Sequence, residues 1–138
     1  MSEAIKKYEK ILKKYGIIEI KEIKNFKEYE PKKILEKEKS LILKNIEKNF
    51  FTIILDLRGK QVSTEKMANL FNKNFENGIN SFQFIIGGAF GIEREVLNQA
   101  DFVWKLSDLT FNHQIVRIIL LEQVYRILSI INGESYHH

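Results

Sequence analysis

The chain has 138 residues, a length that predicts one domain, because domains usually span roughly 100 to 200 residues. Apolar residues make up 44% of it, with ten Phe and one Pro, which excludes an intrinsically disordered chain. The absence of cysteine excludes a disulfide framework, a thiolate nucleophile and a sulfur-ligated zinc site. The net charge is +4, and residues 1–50 alone carry 14 Lys and nine acidic residues, a net of +5. Such a segment either attracts a polyanion such as RNA or forms a solvated helix surface. The interleaved Glu residues favour the solvated surface.

The sequence predicts a cytoplasmic protein that does not enter a membrane. No basic-then-apolar signal pattern follows Met1, and charged residues interrupt the most apolar stretch, residues 115–131. The interrupting residues are Arg117, Glu122 and Arg126. No metal-ligand cluster is visible, so no metal is expected.

The first half of the chain predicts helices and strands in alternation. Apolar residues at helical spacing predict an opening helix that ends at a left-handed Gly16; they are Ile5, Tyr8, Leu12 and Tyr15. Residues 17–23 follow as a strand. Pro31 suits the first turn of a second amphipathic helix, whose apolar residues are Ile34, Leu35, Leu41, Ile42 and Ile46. Residues 50–57 form an apolar run typical of a parallel strand covered on both faces.

The second half continues the alternation. Ser63 is a suitable N-cap for a third helix, Gly78 ends it, and its apolar face consists of Met67, Leu70, Phe71 and Phe75. A strand, a short helix, a strand and a long helix are then predicted over residues 82–86, 93–100, 102–106 and 113–131. This order predicts the α/β class, with a mostly parallel sheet and helices on both faces.

Three segments follow predicted strands and are candidates for ligand binding: residues 55–60, 86–91 and 106–113. In open parallel sheets, ligands bind beyond the carboxyl ends of the strands. The glycine segment at residues 87–91 does not match the dinucleotide fingerprint, because its glycine spacing is wrong. Its glycines either allow a flat ligand close to the backbone or form a tight turn.

The long last helix carries both polar candidates and surplus apolar surface. His113 and Arg117 are four residues apart, so both project from one face, although a lone histidine is typical of an ordinary surface. Arg126 has an expected partner in Glu122, one turn earlier. More apolar side chains are present than one sheet face can cover, which predicts a homodimer interface that includes Ile115, Ile119, Val124, Leu128 and Ile131.

Four motifs together resemble one protein family. They are LDLRGKQVSTE from Leu55, FIIGGAFG from Phe84, LSDLTFNHQIVRIILLEQVYR from Leu106, and the terminal Tyr136, His137 and His138, which by composition alone could equally be a purification-tag remnant. This series resembles the ribosomal RNA large subunit methyltransferase H family of the SPOUT class. The resemblance implies a homodimer with a C-terminal trefoil knot. It also implies methyl transfer from S-adenosylmethionine to N3 of a pseudouridine in large-subunit ribosomal RNA, on the assembled ribosome.

The resemblance also assigns roles to individual residues. The implied cofactor contacts are Leu55, Gly88, Ser107, Asp108, Leu109, Thr110, Phe111 and Asn112. The implied residues for substrate placement and proton handling are His113, Arg117, Tyr136 and His137. The identity of the general base stays open.

The sequence departs from the family in three places. Asn112 replaces a common Pro, an exchange expected to leave its backbone carbonyl available to a ligand. Asp108 adds a negative charge close to the expected sulfonium donor. The chain begins inside the family's first helix, so the domain over residues 1–138 is expected to lack the family's first strand. Two alternatives remain: a non-catalytic α/β module that binds RNA or a protein partner through its Lys-rich helices, and a SPOUT methyltransferase acting on another RNA.

Overall fold

The structure is a computed structural model that describes residues 2–16, 29–88 and 90–135. The chain forms two compact units. Unit 1 comprises Met1–Ile20, Val62–Asn80 and Thr110–His138, and unit 2 comprises Lys21–Gln61 and Ser81–Leu109. Each unit has its own hydrophobic core, so each is described separately.

Unit 2 contains a parallel sheet of three strands. The strands are β1 (Phe51–Lys60), β2 (Phe82–Ile86) and β3 (Phe102–Trp104), and their order is β2-β1-β3. The neighbours Ile53 and Ile54 of β1 are both fully buried. Because successive side chains of a strand point to opposite faces, both faces of β1 are covered, as the apolar run predicted.

Two helices of unit 2 pack on this sheet, which confirms the α/β class. They are α2 (Pro31–Asn45), which begins at Pro31 as predicted, and α4 (Arg94–Leu97). The buried core joins α2, β1, α4 and the segment before α4 through Ile42, Ile54, Ile92 and Val96. The helix over residues 93–100 was predicted too long, because Glu93 is the N-cap and only single turns follow Leu97.

The strand predicted over residues 102–106 is also shorter than expected. The register of β1 shifts between Leu55 and Lys60, and Lys60 again pairs with Trp104. The Lys105 N–H then donates to the Lys60 carbonyl at 2.9 Å. This irregularity ends the ladder of β3 at Trp104, since a bulge bends a strand and interrupts its regular pairing.

Unit 1 consists of helices packed together. They are α1 (Ser2–Leu12), which continues into a 3₁₀ turn (Lys13–Tyr15), α3 (Thr64–Glu76) and α5 (His113–Ile131). Its core contains Ile5, Leu12 and Leu121, and further side chains pack on it, including Val124 and Leu128. Two of the five residues predicted to form a dimer interface therefore lie against a core that includes α1. No helix within the described part of the chain is long and apolar enough to cross a membrane.

The ends of the unit 1 helices confirm most of the predicted caps. The Ser63 hydroxyl accepts a hydrogen bond from the Lys66 N–H at 3.2 Å, and Gly78 is left-handed after α3, with φ of 83°. The prediction of a left-handed Gly16 is wrong: its φ of 155° and ψ of −168° belong to an extended region that only glycine occupies readily. The strand predicted over residues 17–23 lies outside the described residues.

The core of unit 2 generates a stability prediction. Ile54→Ala removes a fully buried side chain and leaves a cavity, so we expect the free energy of unfolding to fall by about 2–5 kcal/mol. Leu57→Ala, on the same strand but 54% exposed, is the matched control and is expected to change it by no more than about 0.5 kcal/mol. Urea denaturation measures both, and equal losses would contradict the assignment of this core.

Candidate functional site

The regular pairing of the three strands of unit 2 stops at one edge of the sheet, after Leu55 of β1. Leu55 pairs with Ile86 of β2 on one side and with Trp104 of β3 on the other. Gly88 comes two residues after Ile86, and Ser107 comes three residues after Trp104. The structure therefore brings together the beginnings of the three predicted loops, at the edge where parallel sheets bind ligands.

An ion pair lies in the first of the three segments, within the irregular last part of β1. The Arg58 Nε and Nη2 atoms donate to the two carboxylate oxygens of Asp56 at 2.7 and 2.8 Å, and the Arg58 N–H also donates to Asp56 at 2.9 Å. Nη2 donates in addition to the Ile92 carbonyl at 2.7 Å. One guanidinium thus connects the last part of β1 to Ile92, directly after the glycine segment. Its hydrogen bonds hold the pKa of the Asp56 carboxyl below its ordinary value, against the opposing effect of burial.

The glycine segment after β2 forms a tight turn. The Gly91 N–H donates to the Gly88 carbonyl at 3.2 Å, and Gly91 has a φ of 87°, a conformation that favours glycine. Gly87 leaves no room for a side chain, because a Cβ there would collide with Ile92. The turn interpretation is confirmed for Gly91, and Gly87 is required by packing against Ile92.

Gly88 has a different neighbour. A Cβ at this position would lie 2.7 and 2.8 Å from the Oε2 and Oε1 atoms of Glu38 in α2. The close approach that the missing side chain permits is therefore made by a carboxylate of the protein itself. Sequence reasoning did not single out Glu38, since its Lys- and Glu-rich surroundings are typical of a solvated helix.

The loop after β3 begins with a local turn. The Ser107 hydroxyl accepts a hydrogen bond from the Leu109 N–H at 3.0 Å. The Asp108 carboxylate, whose side chain is 80% exposed, pairs with Lys105. The charge that the sequence places at Asp108 thus has a lysine partner within its own loop.

The rest of this run, from Thr110 through Phe111 to Asn112, belongs to unit 1, where Asn112 is the N-cap of α5. The Asn112 Oδ1 accepts a hydrogen bond from the Ile115 N–H at 3.0 Å. The Asn112 carbonyl accepts from the Val116 N–H at 3.1 Å. The expectation of an available carbonyl is therefore wrong, because this group makes the first hydrogen bond of the helix.

Each of the three segments, within its part in unit 2, exposes one large apolar side chain. Leu57, Phe90 and Leu109 are 54%, 50% and 67% exposed. Large apolar side chains that remain exposed beside a few polar groups are typical of ligand sites. Only Leu109 was among the predicted contacts. Leu57 and Phe90 were missed, although each is an apolar residue inside a turn-forming segment.

The polar candidates of unit 1 lie at the start of α5. His113 is the first helical residue and is exposed, and Arg117 follows one turn later on the same face and is half-buried. Arg126 forms the expected ion pair with Glu122. Tyr136 and His137 lie outside the described residues. Among the residues that the structure describes, no group of three acidic or histidine side chains could hold a metal ion.

The ion pair at Asp56 generates a pH prediction. The Asp56 pKa is lower in the folded than in the unfolded chain, so the pair stabilises the folded state above a pH of about 4, and this contribution is lost as the pH falls through the folded pKa. Asp56→Asn should therefore cost about 1 kcal/mol at neutral pH, a figure reduced for the partial exposure of Arg58, and less in acid.

Urea denaturation between pH 2 and 7 tests the Asp56→Asn prediction. The control variant is Asp108→Asn, because its exposed ion pair is expected to contribute little. A cost for Asp56→Asn that stays constant down to the lowest pH would contradict the prediction.

Comparison with known proteins identifies the family. A family model described as predicted SPOUT methyltransferase matches residues 1–137. The ribosomal RNA large subunit methyltransferase H of Acetivibrio thermocellus is 39% identical, over 99% of this chain and 90% of that protein. Its counterpart in Clostridium botulinum strain Loch Maree is 42% identical, over 97% and 88% of the two chains. A putative ribosomal RNA large subunit methyltransferase H of Methanococcus maripaludis is 41% identical, over 99% and 90%. The chain therefore belongs to the SPOUT methyltransferases, and within them to the ribosomal RNA large subunit methyltransferase H family.

Proposed function

We propose that this protein transfers a methyl group from S-adenosylmethionine to N3 of a pseudouridine in large-subunit ribosomal RNA, on the assembled ribosome. We include in the proposal a homodimer with the C-terminal trefoil knot that the family resemblance implies. The observation that carries the proposal is the register of unit 2, where Leu55 pairs with both Ile86 and Trp104. This register gathers three strand-end loops at the one edge where parallel sheets bind ligands.

The groups at this edge suit the proposed cofactor. S-adenosylmethionine supplies an electrophilic methyl group on a sulfonium sulfur. Loop backbone around Leu55, Gly88 and Ser107 would hold its adenine and ribose, and the exposed side chains of Phe90 and Leu109 offer apolar surface for a flat base. We assign the contacts of the run through Asn112 to the side chains and N–H groups, since the Asn112 carbonyl is engaged in α5.

The remaining tasks of the protein are alignment and proton removal. A good methyl donor needs mainly a correctly oriented acceptor and the exclusion of water. The N3–H of pseudouridine is weakly acidic, so a base that accepts its proton or a cation that stabilises the anion helps the reaction. An imidazole can accept a proton near neutral pH, and a guanidinium stays positive. We therefore assign these tasks to His113, Arg117, Tyr136 and His137.

Binding and transfer are separable in this proposal. We expect the protein to bind S-adenosylmethionine in calorimetry at micromolar concentration and to label ribosomal RNA in a radiolabelled-methyl assay on ribosomes. His113→Ala, Arg117→Ala and deletion of residues 136–138 should each lower the transfer rate by at least ~10-fold and leave cofactor affinity within a few-fold, because general acid–base groups contribute to turnover rather than to donor binding.

Two substrate controls accompany this assay. Ribosomes with uridine in place of pseudouridine should not be labelled at the target, and transfer RNA should not be labelled at all. Absence of cofactor binding by the wild-type chain would support the non-catalytic module instead. Labelling of transfer RNA in preference to ribosomes would support a different RNA target. Full labelling by the deletion variant would remove the terminal residues from the active site.

The proposed homodimer has its own test. Ile115 of α5 is 38% exposed, and Ile119 and Ile131 of the same helix are half-buried, so this helix retains apolar surface for a second copy. Light scattering should give about twice the chain mass of 16.3 kDa. A mass of a single chain at all working concentrations would contradict the dimer.

A further inference from the structure

We propose that Tyr15 and Glu134 are positioning residues that hold the chain leaving α5 against the end of α1, and so set where the terminal residues 136–138 begin. The inference rests on the proposed function, which assigns Tyr136 and His137 to substrate placement and proton handling. Glu134 lies two residues before Tyr136, so a fixed Glu134 restricts the place from which these groups act. The contacts themselves belong to unit 1 and need no ligand.

The Glu134 carboxylate joins the ends of two helices. The Tyr15 hydroxyl donates to its Oε2 atom at 2.7 Å, and the Lys14 Nζ atom donates to the same oxygen at 3.2 Å. Residues 14 and 134 are 120 positions apart in the chain, so this contact does not follow from local sequence. Hydrogen bonds to an ionised acceptor are stronger than those between neutral groups. The carboxylate therefore links the 3₁₀ turn after α1 to the segment after α5.

Tyr15 is held in place by its own neighbours. Its ring packs on the core of unit 1 and lies 6.3 Å from the ring of Tyr125, at an angle of 48°. The Lys14 Nζ atom lies 4.9 Å from the centre of the Tyr15 ring, within the range of a cation–π contact. Side chains packed on a core keep one rotamer for most of the time. The Tyr15 hydroxyl therefore presents a donor of fixed position to Glu134.

The backbone after α5 is also bound. Gly133 has a positive φ of 68°, and its N–H donates to the Ile130 carbonyl at 3.1 Å. The Glu134 N–H donates to the Ser129 carbonyl at 2.8 Å. These two bonds form a Schellman motif, which ends a helix with a left-handed glycine and satisfies its last carbonyls. Glu134 is thus held through its backbone as well as through its side chain.

The two side chains have the protonation states that this contact requires. The hydrogen bond from Tyr15 holds the pKa of the Glu134 carboxyl below its ordinary value, and Lys14 contributes in the same direction. Burial, together with the same hydrogen bond, raises the pKa of the Tyr15 phenol. At neutral pH the carboxylate is therefore an acceptor and the phenol a donor. The contact is formed under the conditions of the transfer assay.

Removal of one hydroxyl tests the inference. Tyr15→Phe keeps the ring and deletes the donor, so it should lower kcat for methyl transfer on ribosomes at least ~10-fold, because small misplacements of reacting groups are costly. The KM for S-adenosylmethionine should stay within ~2-fold, since the pair acts on transfer and not on donor binding. Glu134→Ala should have the same effect. Glu134→Gln keeps an oxygen that accepts the phenol proton and should hold kcat within ~3-fold of the wild type.

The matched control for the lost hydroxyl is Tyr8→Phe. Tyr8 is also a tyrosine of α1 that packs on the core of unit 1. This change should alter kcat by no more than ~2-fold, as expected of a substitution away from the site. Ile5→Val, in the same core at the other end of α1, lowers stability without altering the pair and should also keep kcat within ~2-fold.

A chain without residues 136–138 separates positioning from general stability. In that background, Tyr15→Phe and Glu134→Ala should lower the residual transfer rate by no more than ~2-fold, because the groups that the pair positions are gone. If the pair acted only through stability, each change would cause the same loss with and without the terminal residues.

Hydrogen exchange of the unliganded protein measures the restraint without any substrate. The N–H groups of Gly133 and Glu134 should exchange at least ~5-fold faster in Tyr15→Phe and in Glu134→Ala. Exchange in α3, which also belongs to unit 1, should stay within ~2-fold of the wild type in both variants.

The outcomes distinguish this inference from the proposed function. Unchanged kcat in Tyr15→Phe, or an equal loss with and without residues 136–138, would overturn the positioning role even if the wild-type chain methylates ribosomes. Full transfer by the chain without these residues would overturn it as well. Absence of transfer by the wild-type chain would refute the proposed function. Hydrogen exchange then decides on the restraint alone, and unchanged exchange at Gly133 and Glu134 would overturn it.

Discussion

The site in unit 2 depends on one constraint, the pairing of Leu55 with strands on both sides. Because β1 is the central strand and both of its faces are covered, a shift of register by one residue would exchange the side chains that pack against the two faces. Packing on both faces therefore specifies the register of β1. This register sets where the glycine segment and the loop after β3 begin.

Charged side chains contact the backbone beyond the buried part of β1. Backbone beyond the last regular pair has no ladder to hold it, and polar contacts take over this task. Arg58 joins Asp56 to the Ile92 carbonyl, and Glu38 lies against Gly88. The Asp56 side chain is only 11% exposed, whereas its partner Arg58 is 44% exposed, so one partner of this ion pair is held in the protein and the other reaches solvent.

The sequence was sufficient for features that depend on local chemistry or on burial alone. The apolar run of β1, the Ser63 cap and the start of α2 at Pro31 each follow from a few neighbouring residues, and all three are confirmed. The predicted end of β3 was wrong because the observed end depends on a shift of register in β1, a strand more than forty residues earlier in the chain. Local patterns carry no information about such distant pairing.

The site was predictable to a similar extent. The loops could be found because they follow strands, and the family resemblance added residues within them. Two errors concern individual groups. The Asn112 carbonyl was expected to be available, yet the same residue that caps α5 must give its carbonyl to the helix. Glu38 was missed because its charge is ordinary on a Lys-rich helix, and only the packing of Ile42 shows which way that face of α2 points.

The glycine segment shows why a motif alone does not define a ligand contact. Gly91 is required by a positive φ and Gly87 by the Ile92 side chain, whereas a Cβ at residue 88 would meet only the movable end of the Glu38 side chain. The demands on Gly87 and Gly91 need no ligand to explain them. Two glycines of a glycine-rich segment after a strand can thus be determined by the fold alone. The end of this segment is also held from outside the motif, because the Arg58 Nη2 atom, near the end of β1, donates to the Ile92 carbonyl.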